Sequence, residues 1–273
     1  MWSGDRLDLD GYLERIGYGG ELRPDLATLA AVQRAHTAAV PFENLDVLLG
    51  RPVALDLPGL ERKLVRGGRG GYCYEQNSLL AAALERIGFD VAARGARNRT
   101  RGDALLPVTH ALLVVTVDGE PWLVDAGFGA NGPTEPVPLR PGSGTTQGDW
   151  DFGVAEEDEG LLVLRTRRTG EPWRDLYAFA PQRLYPVDFA LMNHWSSTHP
   201  ASFFTGRLVA MLPGRTRRLA LVQRELVRWL PGGHEERSAV APEELPGTVE
   251  REFGIRLPGR DAAELVRILA AGE

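Results

Sequence analysis

The chain of 273 residues contains one cysteine, Cys73, within the stretch RGGYCYEQNSLL (Arg69 to Leu80). Free cysteines are among the most buried residue types, and most are inert filler. Three features of this one argue for reactivity. An apolar helical pattern follows it, so Cys73 falls at a helix start. Unpaired N–H groups and the helix dipole there favour a negative sulfur. Gly70 and Gly71 precede it, and such glycines permit unusual backbone angles and close approach of a ligand. Finally, a thiol nucleophile needs a base, and the base needs an orienting group. His110 opens the apolar run ALLVVTV, and Asp125 ends the run PWLVD. Cys, His and Asp in these roles carry out acyl transfer or hydrolysis through a covalent cysteine intermediate.

The spacing permits the encounter. If Asp118–Gly119 is a two-residue turn, Val117 faces Glu120 and His110 falls opposite Gly127. Asp125, two residues from Gly127, then shares a face with His110, as a diagonal neighbour at roughly 7–8 Å. A three-residue loop would destroy this parity. Singly, His110 reads as a hydrogen-bonded half-buried residue and Asp125 as a turn residue; the set carries the argument. His36, His194, His199 and His234 have no comparable partner arrangement. His36 reads as structural, and a lone cysteine excludes a disulfide framework and any multi-cysteine zinc site, so no metal is indicated.

The composition bounds the rest. A net charge of −6 argues against a nucleic-acid binder. Local arginine runs such as RTRRTG and GRTRRL are anion sites or, more commonly, solvated surface. The apolar runs are too short for a membrane helix. MWSGDRLDLD has no apolar core and does not read as a signal peptide, so the expected location is the cytoplasm, where the thiol remains reduced.

Three stretches must position these groups. The first, to about Gly88, is helical. DLDGYLERIGY offers Asp8 or Asp10 as a cap and Gly17 as a stop. In the next helix Leu26, Leu29, Ala30 and Gln33 share a face, and Pro41 ends the element. CYEQNSLLAAALERIGF places Leu80, Ala83, Leu84 and Ile87 at 3–4 spacing, with Gly88 as the stop. The second stretch shows short apolar runs about the turns DGE and Gly170, an antiparallel sheet or barrel. LRPGSGTTQGDWD within it reads as a long surface loop. The third is mixed: a helix breaking at Pro200, then strands, then a final helix DAAELVRILAAGE capped by Asp261.

RGGYCYEQN, THALLVV, WLVDAGFG and the early VPFENLDVLLG together resemble the arylamine N-acetyltransferases, and SSTHPASFF resembles the start of that family's third domain. The similarity spans about Leu9 to Gly206. It implies an α+β fold with a cysteine-protease-like core: a helical bundle (1–88) carrying the nucleophile, a β-barrel (89–190) carrying His and Asp, and an α/β lid (191–273). It implies a Cys73–His110–Asp125 triad, acetyl-CoA as donor, and arylamines or arylhydrazines as acceptors. Arg69 and Glu43 correspond to a buried charged pair supporting the site. For CoA the resemblance points to Gly127, Phe128 and Gly129 and to Trp195 and Ser202, with WLPGG at Trp229 a weaker match. Amide synthases that close polyketide macrolactams share the triad, as do cysteine hydrolases and transglutaminase-like enzymes. Neither nucleic acid nor membrane is an expected partner, and a homodimer is compatible with the sequence.

Overall fold

The computed structural model describes residues 2–102 and 104–271. The first stretch folds into α1 (Leu9–Ile16), α2 (Leu26–Ala39), a short strand β1 (Phe42–Glu43), α3 (Leu45–Leu48), α4 (Leu57–Leu60) and α5 (Cys73–Ile87). Local chemistry sets the ends. The Asp8 carboxylate accepts from the Gly11 N–H, which selects it over Asp10 as the cap of α1, and Gly17 closes that helix at φ 67°. Gly88 closes α5 at φ 111°.

The face predicted for α2 is rotated in the structure. Thr28, Leu29, Val32, Gln33, His36 and Thr37 are its buried residues, whereas Leu26 is exposed and Ala30 only partly covered. Leu26 is the first helical residue, where the chain is still arriving from solvent. Helix α5 is buried all round from Cys73 to Leu84. It packs against α1, α2 and α4 and against the later helix Pro186–Thr198 and strands Asp90–Asn98 and His110–Val117.

The second stretch forms β2 (Asp90–Asn98), β3 (His110–Val117), β4 (Glu120–Val124), β5 (Val137–Pro138), β6 (Gly144–Gln147), β7 (Trp150–Glu156), β8 (Leu162–Arg168) and β9 (Arg174–Phe179). Their order is β5-β4-β3-β2-β9-β8-β7-β6, all antiparallel. β5 lies against β6 and β7, so the sheet curls into a nearly closed barrel. Leu112, Leu123, Trp150, Phe152, Leu164, Tyr177 and Phe179 form its core. Half of the expected long loop LRPGSGTTQGDWD is a hairpin: β6 pairs with β7 about Gly148, at φ 69°. A short strand of Gly, Thr and Gln carries little apolar signal. Gln147 secures it by accepting the N–H groups of Thr134 and Glu135 at 2.8 and 3.1 Å.

The third stretch contains α6 (Pro186–Thr198), β10 (Val209–Leu212), β11 (Arg218–Val222), β12 (Glu225–Trp229), β13 (Glu235–Ala239), α7 (Leu245–Phe253) and α8 (Gly259–Ala270). Helix α6 stops at Thr198, just short of the expected break at Pro200. The second sheet runs β1-β10-β11-β12-β13, so a strand from the first stretch completes it. Asp261 is not the cap of α8. The helix begins at Gly259 after Pro258, and Asp261 lies in its first turn, bound by Arg51 Nη1 at 2.8 Å. The predicted helix end at Gly272–Glu273 lies outside the described residues. Among the described residues no helix is long and apolar enough to cross a membrane.

Candidate active site

The hairpin parity read from the sequence is present. Asp118 and Gly119 both have positive φ, 50° and 81°, and Val117 pairs with Glu120. The ladder runs to Leu113–Val124 and then opens. Beyond it His110 Nε2 lies 2.7 Å from Asp125 Oδ2. Cys73, the first residue of α5, is 2 % exposed and points between the Thr109 carbonyl, 3.9 Å from Sγ, and the His110 ring. With Nε2 taken by Asp125, Nδ1 is the ring nitrogen left for the thiol.

Asp125 is held by donors from three elements. Its Oδ1 accepts Asn77 Nδ2 at 3.0 Å and the Gly127 N–H at 2.8 Å. Its Oδ2 accepts His110 Nε2 and the Tyr177 hydroxyl, the latter at 2.9 Å. Asn77 lies one turn after Cys73 on the same helix face. Its Nδ2 also donates to the Ala111 carbonyl at 2.6 Å, and its Oδ1 accepts the Ala126 N–H at 3.0 Å. One side chain therefore ties the nucleophile helix to the strand of His110 and to the turn after Asp125. Neither Asn77 nor Tyr177 was singled out by the sequence. The available signal was Asn77 itself, an amide side chain one helical turn from the thiol.

The charge state follows from this shell. Burial disfavours the His110 imidazolium, but the adjoining Asp125 carboxylate outweighs it through charge and hydrogen bond, with the Cys73 sulfur adding to the effect. His110 is pushed up to about 10, so a cation persists beside the sulfur at neutral pH.

The glycines act differently from expectation. Neither Gly70 nor Gly71 adopts positive φ. A Cβ on Gly70 would lie 1.9 Å from the Pro41 carbonyl oxygen, and one on Gly71 2.6 Å from Glu75 Oε2. They admit neighbouring protein rather than a ligand, letting the chain run beside Phe42 into α5. Gly127 is the glycine pressed against the thiol: a Cβ there would lie 2.5 Å from Cys73 Cα and 2.9 Å from Cys73 Cβ. Gly127→Ala is therefore expected to cost about 1–3 kcal/mol of stability and to lower turnover by about tenfold or more through displacement of Cys73. Urea unfolding and steady-state rates measure both, and an unchanged rate would show that this contact does not set the geometry.

Beneath the helix start, Arg69 Nε donates to Glu43 Oε1 at 2.9 Å. The structure enlarges that pair into a cluster. Lys63, the only lysine in the chain, lies 2.6 Å from Asp46 and 2.7 Å from Glu75, and Asp46 approaches Arg69 at 3.5 Å. Glu75 Oε2 accepts the N–H of Tyr72, the residue before Cys73, at 3.1 Å. Three carboxylates share two cations here. Burial, only partly offset by Lys63 and reinforced by the Glu43 charge, pushes Glu75 up to about 7.

An open cleft leads to the thiol. Gly127, Phe128, Trp195 and Ser202 line it together with Cys73 and His110. Phe128 sets its ring edge-on to His110 at 5.1 Å, and Trp195 stacks on His199 at 5.0 Å. The Ser202 hydroxyl is engaged within the protein, donating to the Ser196 carbonyl at 2.5 Å and accepting the Phe204 N–H at 3.2 Å. Gly129 is not part of the lining and packs against Met211. Trp229 lies elsewhere, lining a separate cavity with Trp150 and Arg168. Among the described residues no group of three or more His, Cys, Asp or Glu side chains is arranged so that it could hold a metal ion.

The chain is similar to known proteins over nearly its whole length. The N-acetyltransferase family model matches residues 25–262. An arylamine N-acetyltransferase of Mycolicibacterium smegmatis is 38 % identical over 265 residues, covering 93 % of this chain and 95 % of that protein. The crystal structure of the Nocardia farcinica arylamine N-acetyltransferase superposes with a TM-score of 0.91 at 44 % identity, covering 97 % of this chain and 95 % of that one. The Mycobacterium marinum arylamine N-acetyltransferase, solved in complex with CoA, gives a TM-score of 0.86 at 34 % identity over 97 % of each chain. With the fold shared and the similarity running over most of the length, the chain belongs to the arylamine N-acetyltransferase family.

Proposed function

We propose that this protein transfers the acetyl group of acetyl-CoA to arylamines or arylhydrazines through an acetyl-Cys73 intermediate. The observation that carries the reading is the line of contacts from the Cys73 thiol to His110 to Asp125 at the end of an open cleft. In the first half-reaction the Cys73 sulfur attacks the thioester carbonyl. The C–S bond to CoA breaks, and the departing CoA sulfur takes a proton from His110. In the second the amine nitrogen attacks the acetyl-cysteine carbonyl, His110 accepts the amine proton, and the C–S bond to Cys73 breaks. The Tyr74 N–H, in the first turn of α5 where amides lack intrahelical partners, is the donor this reading assigns to the oxyanion. Acyl exchange between two sulfurs is nearly balanced, whereas transfer to nitrogen runs downhill, so the intermediate forms readily and discharges in one direction.

The same proposal keeps the division into 1–88, 89–190 and 191–273; the change from helix to strand after Gly88 supports the first boundary, and the second falls within α6. It keeps a reducing compartment such as the cytoplasm, since the mechanism needs a free thiol.

The test is mass spectrometry of the protein mixed with acetyl-CoA. One acetyl group is expected on the peptide containing Cys73, discharged when an arylamine is added, with acetylated amine as product. Turnover without the adduct would overturn the covalent route. Discharge to free acetate in the presence of amine would identify a hydrolase.

A further inference from the structure

The lip of the cleft carries two arginines that, among the described residues, have no acidic partner. Arg101 and Phe203 line the cleft that reaches Cys73. The Arg101 guanidinium sits over the Phe203 ring, 3.7 Å from its centroid, and that of Arg207 sits over the same ring at 5.0 Å. Thirty arginines and one lysine serve this chain, and many of the arginines are held by carboxylates, as Arg69, Arg165 and Arg228 are. Among the described residues Arg101 and Arg207 have no such carboxylate, and their charged groups lie over the one aromatic face. Partial shielding, with the Arg207 charge adding to it, pulls Arg101 below the ordinary guanidinium value. Two like charges gathered on one ring at a cleft mouth repel, and an oxyanion between them would relieve that repulsion with charge-assisted hydrogen bonds.

We propose that Arg101 and Arg207, braced by Phe203, bind an oxyanion carried by a substrate entering the cleft. The assignment rests on the acetyl-transfer reading above and extends it to substrate recognition. Two substrates of that reaction offer the chemistry: the phosphates of CoA, and a carboxylate on an aromatic amine. Either would be gripped at the lip while the reacting carbonyl or amine reaches Cys73.

The test uses the full-length protein as wild type, R101Q, R207Q, the double variant and the charge-preserving R101K. Donor recognition is read as the ratio of kcat/KM for acetyl-CoA to that for S-acetylpantetheine, which lacks the nucleotide phosphates. Acceptor recognition is read as the ratio for 4-aminobenzoate to that for aniline. Loss of a charged hydrogen bond predicts a fall in one ratio of about tenfold or more in the double variant. The salt dependence of the affected kcat/KM should flatten, and R101K should restore part of the ratio, neither of which a change in packing alone would produce. A fall in the first ratio assigns the site to CoA, and a fall in the second assigns it to the acceptor. Both ratios within twofold of wild type overturn the proposal. Cys73 acetylation in the wild-type preparation separates the two failures. If the adduct forms and the ratios hold, only the arginine assignment falls; if it does not form, the acetyl-transfer reading falls and takes the assignment with it.

Discussion

Cys73→Ala lowers acetyl transfer by about 10⁴-fold or more, and Cys73→Ser by a comparable factor. The two variants together distinguish chemistry from packing. Cys73 is 2 % exposed in the main core, so a filler role would predict that small replacements remain active. Serine nearly matches the thiol in size but is a far weaker nucleophile beside an imidazolium, which cannot act as its base. The fold should persist in both. Removal of one sulfur leaves a small void, and for a chain of this size each kcal/mol lost lowers Tm by about 2–4 °C. Steady-state rates with acetyl-CoA and an arylamine, alongside thermal melts, provide the measurement. Turnover by Cys73→Ala above a few per cent of wild type would remove the covalent mechanism.

Asp125→Asn should lower turnover by about 10³- to 10⁴-fold at neutral pH. The carboxylate accepts from Asn77, Gly127, His110 and Tyr177. An amide presents two N–H donors where donors already point inward, and each thwarted pair costs about 1–3 kcal/mol. The electrostatic consequence is larger. Burial alone opposes the His110 cation, and the Asp125 charge is the leading influence that reverses this. Without it His110 is neutral at physiological pH, and the sulfur loses its neighbouring cation.

The same linkage sets a sign for stability against pH. His110 has a folded value of about 10, above the ordinary histidine value. Its favourable contribution is therefore complete below about pH 6.5 and is lost as pH climbs through the folded value. The stability difference between wild type and Asp125→Asn should accordingly be widest in mildly acidic solution and should shrink toward pH 10. A constant difference across that range would show that the pair does not titrate as the geometry requires.

The sequence revealed those parts of the site that depend on local geometry. The turn at Asp118–Gly119 fixes a parity, and parity alone put His110 and Asp125 on one face. The helix that starts at Cys73 and ends at Gly88 follows from periodicity and a left-handed stop. What stayed hidden depends on packing between distant segments. Tyr177 reaches Asp125 because β9 pairs with β2 across the barrel, a neighbour relation with no trace in local spacing. Lys63, Asp46 and Glu75 join Arg69 and Glu43 only once three helical segments meet. Gly70 and Gly71 announced a close approach, but nothing in the chain said that the approaching group was the Pro41 carbonyl and the Glu75 side chain. The β6–β7 hairpin was missed for a compositional reason, since glycine, threonine and glutamine spell loop until a partner strand takes up their backbone groups.

The convergence on Asp125 also bears on the order in which the protein acquires its reactivity. Cys73 and Asn77 leave the ribosome first, His110 and Asp125 later, and Tyr177 last of all. Contacts between such distant positions form late in folding, because the intervening chain must be closed before they are rewarded. Until the barrel docks on the buried helix, the thiol has no oriented base beside it, and a half-made chain has no means of capturing an acyl group. Folding thus serves as the activation step: the covalent chemistry is switched on by completion of the native state, without a separate maturation event.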